Sequence, residues 1–250
     1  MSRIFSIMRI CNYAQLLRKG NTMAVSKTKC DMALGQRVHD HLVSLGVETP
    51  MVQNYRDEIG KRAIIKSAFT NIMEALGLDL EDDSLRDTPN RMAKMYVDEI
   101  FAGLNYDYFP KITVVENKAG YKDLLIEKVS AISCCEHHFV PFMTTHNPDK
   151  LGCWVAYIPE KKVVGLSKLN RIVEFFCRRP QIQERLVEQI AETMKFILET
   201  ENVAVVMRSQ HFCVMTRGVE DADSYTITNS LHGQFKDPTT RAELMATVNR

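Results

Sequence analysis

Two short clusters of cysteine and histidine, distant from each other in the sequence, place the strongest constraint on how this chain folds. Cys135 and His138 stand in a C-x-x-H spacing, and His211-Phe212-Cys213 follows at the end of a predicted strand. Thiolate and imidazole together suit a zinc ion. Cys135, His138 and Cys213 are therefore candidate ligands of one zinc ion, and a β-sheet could bring the two segments together.

The same residues allow two kinds of zinc site. Three protein ligands leave the fourth position of the metal to water, whose pKa falls to about 7, so such a site is catalytic. His137 and His211 would then transfer protons, since imidazole titrates near neutral pH. A closed structural site would instead take a fourth ligand from Cys134, His137 or His211, and spacing does not distinguish the two. The other histidines have no such neighbours and are interpreted as surface or core residues: His39, His41, His146 and His232.

The overall composition is that of an ordinary soluble globular protein. The chain has 250 residues, of which 45% are apolar and 25% charged, enough for one large or two small domains. A net charge of +1 gives no general reason to expect nucleic acid or a membrane surface as partner. No apolar run approaches the roughly 18 residues of a membrane span. Seven scattered cysteines, an odd number, favour a reducing cytoplasm.

Residues 1–31 are predicted to be a disordered leader. The first 30 residues contain arginine and lysine but no aspartate or glutamate, which is the charge bias of an organelle transit peptide. Translation could equally begin at Met23. We therefore prefer a leader without function to a transit signal, and we expect the protein in the cytoplasm.

One domain is predicted over residues 32–250, beginning with a helical part at about 32–104. An apolar stripe predicts one helix that stops at Gly77, and the stripe consists of Ile64, Ile65, Ala68, Ile72, Met73 and Leu76. Asp87, followed by Thr88 and Pro89, predicts the capped start of a second helix. The predicted buried face of that helix consists of Met92, Met95, Tyr96, Ile100 and Phe101.

The body of the domain, at about residues 105–250, is predicted to be of the α+β class. Short β-branched or alternating runs predict strands of one antiparallel sheet at residues 111–116, 124–133, 152–158, 203–207 and 225–228. Residues 167–200 form a predicted helical stretch, broken near Pro180. Its core-facing positions are Ile172, Val173, Phe176, Leu186, Ile190, Met194 and Ile197. Strands and helices grouped in blocks favour α+β over alternating βαβ units.

Several charged residues are candidates for binding a nucleotide. A strand turns at Gly165 into a helix whose first turn carries Lys168 and Arg171 beside free backbone N–H groups, a setting that favours phosphate. Glu184 could accept two hydrogen bonds from the edge of a purine such as guanine. Further cations are Arg91 and Lys94, on one helix face, and Arg217, close to the metal cluster. Each could equally be an ordinary solvated charge.

Four segments of the sequence form a specific set. They are Cys135-Glu-His-His138; Gly165-Leu-Ser-Lys168 with Arg171; Arg179-Pro-Gln-Ile-Gln-Glu184; and His211-Phe-Cys213 with Arg217-Gly-Val219. This set resembles the type I GTP cyclohydrolase family. The similarity extends from about residue 35 to the C-terminus, including Asp87-Thr-Pro-Asn-Arg-Met-Ala-Lys94 and Thr226-Ile-Thr228. It implies the tunnelling fold, assembled as a toroidal homodecamer with each active site at a junction of subunits.

The resemblance also implies a reaction and a role for each residue of the metal cluster. Cys135, His138 and Cys213 would bind zinc, while His137 and His211 would transfer protons. The implied reaction is hydrolysis of GTP to 7,8-dihydroneopterin triphosphate and formate, the first step of pterin and tetrahydrofolate biosynthesis. Water activated by zinc adds at C8, the imidazole ring opens, formate leaves, and the ribose recloses as a dihydropterin.

The resemblance places the remaining candidates around the substrate. Glu184 would hold guanine, with Gln183 close by, and Ser167 would lie near the ribose. The triphosphate would face basic residues, some of them from a neighbouring chain: Lys168, Arg171, Arg217, Arg91 and Lys94.

Two departures from the family pattern and two rival functions accompany this interpretation. The loop at 139–152 is longer than is usual in the family, and Cys134 offers a competing thiolate that would shift the ligand set by one residue. One rival is a non-catalytic, zinc-stabilised oligomer that binds a purine nucleotide. The other keeps the fold but changes the reaction, although the related pterin and deazapurine synthases resemble this site poorly. Zinc deaminases are excluded because the sequence lacks their C-x-x-C motif.

Overall fold

A computed structural model describes residues 29–249 except 146, 148 and 149. The predicted leader, apart from residues 29–31, lies outside the described residues, and so does His146. Helices at the N-terminal end precede a body of mixed helix and sheet, which agrees with the predicted α+β class. Within the described part of the chain, no helix combines the length and the apolar character that crossing a bilayer requires.

Aspartate caps begin the first two helices. The Asp31 carboxylate accepts a hydrogen bond from a first-turn N–H at 2.9 Å and starts α1 (Met32–Ser44). Asp57 does the same at 2.8 Å for α2 (Glu58–Ala75). Each carboxylate satisfies an N–H group that a helix start leaves unpaired. The predicted apolar stripe thus lies on a helix, which stops just before Gly77, where φ is +73°.

The next helix begins where the sequence predicts but without the predicted cap. It comprises α3 (Thr88–Lys94) and continues as a π-helix (Met95–Ile100). The Asp87 side chain makes no capping bond, because its carboxylate lies 3.2 Å from Nε of Arg91. Short 3-10 turns follow at Ala102–Leu104 and Tyr106–Tyr108.

The apolar faces of these two helices are only partly covered. Ile64 of α2 is 52% exposed, and Leu76, directly after the helix, is 70% exposed. Met73 is the buried residue of the helix. The predicted buried face of the next helix is half-buried instead: Met92, Met95, Tyr96, Ile100 and Phe101. The two helices pack on each other, so within one chain each of them is covered on one side and leaves its other side exposed.

In the described residues, nine strands form two sheets, so the prediction of one antiparallel sheet is wrong. The strands are β1 (Val114–Glu116), β2 (Leu125–Val129), β3 (Ile132–Cys135), β4 (Pro141–Met143), β5 (Gly152–Tyr157), β6 (Lys162–Val164), β7 (Pro180–Gln181), β8 (Val203–His211) and β9 (Thr226–Leu231). The larger sheet has the order β2-β5-β8-β4-β3-β7, with β9 also paired to β8. The β3–β7 pair is parallel, and β1 pairs with β6 in a separate ribbon.

Pairing explains where the strand prediction failed. The run at 124–133 is two strands, because β2 pairs with β5 whereas β3 pairs with β4 and β7. β4 and β7 were not predicted, since strands of two or three residues are too short to show alternation. β6 is the strand expected directly before Gly165.

Two helices bury the inner face of the large sheet. They are α4 (Leu166–Cys177) and α5 (Gln183–Leu198), and the break between them contains Pro180, as predicted. All seven predicted core-facing positions are buried: Ile172, Val173, Phe176, Leu186, Ile190, Met194 and Ile197. The helical periodicity of this stretch therefore identified its core face correctly.

The outer face of the sheet is covered as well. A short helix α6 (Phe212–Met215) follows β8. After β9 come a 3-10 turn (Gly233–Lys236) and the helix α7 (Pro238–Val248). Along β5, Trp154 and Ala156 pack with residues of α7 and this turn, whereas Val155 packs toward α4 and α5. Every residue of β5 is buried, because alternate side chains enter two different cores.

A fully buried arginine joins the helical part to the body. The guanidinium of Arg179 lies 2.8 Å from the Glu48 carboxylate, and it donates to the Gly103 carbonyl. It also lies 4.9 to 5.1 Å from the centres of three rings, those of Tyr106, Phe175 and Phe176. Burial raises the pKa of the Tyr106 hydroxyl, which donates to Glu48. The ion pair and the rings together hold the segment that leads into β7.

Candidate active site

The large sheet brings the two predicted metal-ligating segments together. Cys135 ends β3, a tight turn leads to β4, and β4 pairs with β8, placing Phe142 opposite His211. Cys213 follows in α6. The ligand atoms of Cys135, His138 and Cys213 all lie within 4.8 Å of one another, and the two sulfur atoms are 3.9 Å apart. Residues distant in sequence thus form one cluster.

The donor set of this cluster fits zinc. Two sulfur atoms and one imidazole nitrogen suit a borderline-soft dication. Burial raises the pKa of the Cys213 thiol, because a charged thiolate loses its solvation there. The neighbouring Cys135 raises it further, because two thiolates so close repel each other. A bound dication would remove that repulsion. Among the described residues no fourth metal-ligating side chain joins the group.

Cys134 does not join the cluster. It precedes Cys135 on β3, so its side chain points to the opposite face of the sheet. Burial raises the pKa of its thiol to about 12, with a smaller contribution from Cys135. A thiol in that state is a poor metal ligand at neutral pH, which favours Cys135 over its neighbour.

His211 is held by a buried amide that the sequence did not identify as its partner. Its Nε2 lies 2.7 Å from Oε1 of Gln183, and its ring stacks on Phe142 at 4.7 Å. Ser209 Oγ donates to the same Oε1 at 2.5 Å. The Gln183 amide nitrogen donates to strand acceptors at 3.0 to 3.2 Å, including Thr228 Oγ1. Burial lowers the pKa of His211, and the nearby Glu184 opposes this.

The structure therefore places Gln183 differently from Glu184. Gln183 is buried, and both ends of its side-chain amide are engaged by His211 and the sheet. Glu184, one residue later in the first turn of α5, is exposed in an open groove that Val47 and Ile227 also line. Neighbouring positions on a helix point in different directions, so only the second offers its side chain to a ligand.

The predicted phosphate ligands do not converge within one chain. Arg217 approaches the metal cluster, with Nη1 2.6 Å from Nε2 of His138. Arg171 lines a separate small cavity between α4 and the Lys29–Cys30 segment, away from the groove of Glu184. The other candidates lie at the surface or half-buried: Ser167 and Lys168 in the first turn of α4, and Arg91 and Lys94 in the last turn of α3.

The turn that carries His137 and His138 is anchored by residues that sequence reasoning missed. Glu136 pairs with Arg185, which follows Glu184 on α5, at a distance of 2.6 Å. The Glu136 N–H donates to the Gln181 carbonyl of β7 at 3.0 Å. His137 is exposed, with Nδ1 3.8 Å from the Cys135 sulfur. The ion pair connects the metal cluster to the helix of Glu184, and no local spacing would have revealed it.

His232 lies close to two glutamates of α5, which its position in the sequence did not suggest. One ring nitrogen lies 3.6 Å from Glu188 and the other 3.6 Å from Glu192. The same Glu192 carboxylate is already paired with Lys195 at 2.8 Å. Because a lysine supplies the positive charge, this cluster is an ion-pair network on α5 rather than a second metal centre.

Comparison with known proteins identifies the family. The sequence model described as GTP cyclohydrolase I matches residues 65–249. The GTP cyclohydrolase 1 of Actinobacillus pleuropneumoniae serotype 5b is 48% identical over 220 residues, covering 87% of this chain and 98% of that protein. The GTP cyclohydrolase 1 of Aeromonas hydrophila is 53% identical over 207 residues, covering 82% and 92%. The chain therefore belongs to the GTP cyclohydrolase I family of enzymes.

Proposed function

We propose that this chain hydrolyses GTP to 7,8-dihydroneopterin triphosphate and formate, at a zinc ion bound by Cys135, His138 and Cys213. The observation that carries the proposal is the convergence of these three ligand atoms within 4.8 Å. Zinc bound there supplies Lewis acidity and makes water a nucleophile at neutral pH. The reaction belongs to pterin biosynthesis, from which tetrahydrofolate also derives.

His211 is the better-placed proton-transfer group. The Gln183 Oε1 can only accept, so neutral His211 donates to it through Nε2. That tautomer leaves Nδ1 with a free lone pair, available to take a proton from water or substrate. Gln183 acts as a positioning residue that holds this tautomer, and exposed His137 is the second proton-transfer group.

The groove beside α5 is the proposed guanine site. Glu184 is exposed there and can accept hydrogen bonds from the ring N–H and exocyclic amine of guanine. Ser167 is assigned to the ribose. The triphosphate is assigned to the cations Lys168, Arg171, Arg217, Arg91 and Lys94.

Assembly is part of the proposal. Arg171 and Glu184 line different cavities of one chain, so one substrate molecule meets both only where two chains join. This supports a site shared between chains. The assembly we assign is the tunnelling-fold, toroidal homodecamer that the resemblance implies, built from one domain of residues 32–250. Cys134, Cys135, Cys153, Cys177 and Cys213 form no disulfide with one another, which is compatible with a reducing cytoplasm.

The first experiment is incubation of the purified protein with GTP, with and without a zinc chelator. Dihydropterin absorbance and released formate should both appear and should both vanish when zinc is removed. Zinc-loaded protein that leaves GTP intact would instead support a non-catalytic nucleotide-binding oligomer.

Substitutions separate the ligands from the proton-transfer group. Cys135→Ala and Cys213→Ala should each lose zinc and activity, whereas His211→Ala should retain zinc and stop turnover. Cys134→Ala is the matched control and should keep its zinc, because that side chain lies outside the cluster. Full zinc content in both ligand variants would contradict the assignment.

Chelation offers a second readout of the same cluster. The sulfur atoms of Cys135 and Cys213 lie 3.9 Å apart, so small movements can join them as a disulfide. Zinc-free protein left in air should lose two titratable thiols, and zinc-loaded protein should not.

A further inference from the structure

Phe139, directly after His138, has an unusual backbone conformation. Its φ is +53°, in the left-handed region that side chains with a Cβ rarely adopt. Such a conformation persists only where the surrounding structure holds it in place. Phe139 therefore needs contacts that compensate for its backbone.

The metal-ligand turn requires this conformation. The Cys135 N–H donates to the Val140 carbonyl at 2.8 Å, and the Phe139 N–H donates to the Cys135 carbonyl at 2.9 Å. These two bonds close the C-x-x-H segment into a compact loop that presents Cys135 and His138 to one point. Glycine would adopt the same backbone at lower cost, so what distinguishes phenylalanine here is its ring.

The ring of Phe139 completes an aromatic cluster of four, formed with Phe69, Tyr96 and Phe101. Its centroid lies 5.2 Å from that of Phe101 and 6.1 Å from that of Tyr96. Tyr96 stacks on Phe101 at 5.0 Å and on Phe69 of α2 at 5.4 Å. These separations are typical of favourable aromatic pairs.

The aromatic cluster connects the metal-ligand turn to the helical part of the chain. Tyr96 lies in the π-helix that continues α3, the helix that carries Arg91 and Lys94. π-helical turns occur frequently at functional sites. Phe139 is thus the one member of the cluster that belongs to the metal-ligand turn. Phe69 lies on α2, Tyr96 in the π-helix, and Phe101 directly after that helix.

We propose that Phe139 is a positioning residue whose ring ties the metal-ligand turn to the helix carrying Arg91 and Lys94. This inference rests on the proposed function, because it takes the turn to hold zinc and the helix to face the triphosphate. The ring keeps His138 oriented toward Cys135, and it holds the helix at a set distance from the metal. Loss of the ring therefore frees both His138 and the helix from these positions.

The test compares three substitutions. Phe139→Ala removes the ring but keeps the Cβ, Phe139→Gly removes the ring and relieves the backbone, and Phe139→Tyr keeps the ring. Zinc affinity is measured by competition with a chromophoric chelator, and thermal unfolding is measured in parallel. The KM and kcat for GTP are measured at saturating zinc, so that metal loss does not obscure substrate binding.

The alanine variant should bind zinc about tenfold more weakly, as is usual when a residue supporting a metal ligand is lost. Its KM for GTP should rise more than its kcat falls, because Arg91 and Lys94 lose their position. Phe139→Gly should be more thermostable than Phe139→Ala yet equally impaired in zinc affinity and KM. Phe139→Tyr should retain the zinc affinity and the KM of the wild type. If Phe139→Ala does not fold, Phe139→Leu takes its place as the variant without the ring.

A matched control isolates the backbone effect. Glu199 also has a left-handed φ of +54°, at the C-terminal end of α5. Glu199→Gly relieves a similar conformation there and should leave zinc affinity and KM unchanged.

Wild-type zinc affinity and KM in Phe139→Ala would overturn the proposal. Recovery of zinc affinity in Phe139→Gly would overturn it as well, by assigning the effect to the backbone. If the wild-type protein does not turn over GTP, the proposed function fails, but the zinc competition still decides the role of the ring.

Discussion

The α5 helix of the body and the α2 helix of the N-terminal part both carry apolar residues at helical spacing, but the chain covers those residues to different extents. Leu186 and Ile190 of α5 are completely buried, between the sheet and α4. Ile72 of α2 is 50% exposed, and Leu76, directly after the helix, is 70% exposed. Helical periodicity identifies which face of a helix is apolar, but it does not show whether the same chain covers that face.

This difference indicates that the two regions derive stability from different sources. The body has a hydrophobic core on each face of its large sheet, and helices of the same chain cover both cores. The N-terminal helices leave apolar side chains uncovered, including Ile59 at 70% exposure. Several large apolar side chains left exposed on one helix are what a surface that packs against another chain would show, which is compatible with the proposed oligomer.

The largest expected effect is at the junction of the two regions. Arg179→Ala leaves the buried Glu48 carboxylate without its partner and should cost about 3–5 kcal/mol of unfolding free energy. The control is Arg62→Ala, since Arg62 pairs with Asp98 at 2.6 Å near the surface and should cost about 1 kcal/mol or less. Urea unfolding measures both, and equal losses would contradict the importance assigned to the buried junction.

The second prediction tests the comparison directly with one substitution in each helix. Ile190→Ala, in the closed core, should cost about 2–5 kcal/mol at any protein concentration. Ile72→Ala should change the stability of the single chain by less than about 0.5 kcal/mol but should weaken assembly if another chain covers α2. Urea unfolding at several protein concentrations separates the two, and a large concentration-independent loss for Ile72→Ala would refute the distinction.

The smallest expected effect is at the ion pair inside the candidate site. Glu136 and Arg185 are 28% and 15% exposed, so Glu136→Gln should cost about 1 kcal/mol or less. Arg185→Gln should cost a similar amount, and the double variant should cost little more than either, because the two groups act as a pair. A double-mutant cycle by urea unfolding measures this, and additive losses would show that the pair is not coupled.

Part of the candidate site could be predicted because its metal-ligating residues lie close together within two short segments of the sequence. The C-x-x-H pair and the His-Phe-Cys segment indicated a metal cluster, and the structure brings Cys135, His138 and Cys213 together. Proline and apolar spacing likewise predicted the helix break at Pro180 and the core face of α5. These features depend on residues within a few positions of each other.

Tertiary structure alone decided how those pieces are held. The pairing of β2 and β3 with different partners, the buried amide of Gln183 against His211, and the contact of Arg179 with Glu48 all join segments far apart in the chain. No local pattern records such contacts, because each depends on the path of the chain between the two residues. The sequence by itself determined the family, the metal-ligating residue types and the helical faces, whereas folding determined which of those faces are covered and which side chains orient the site.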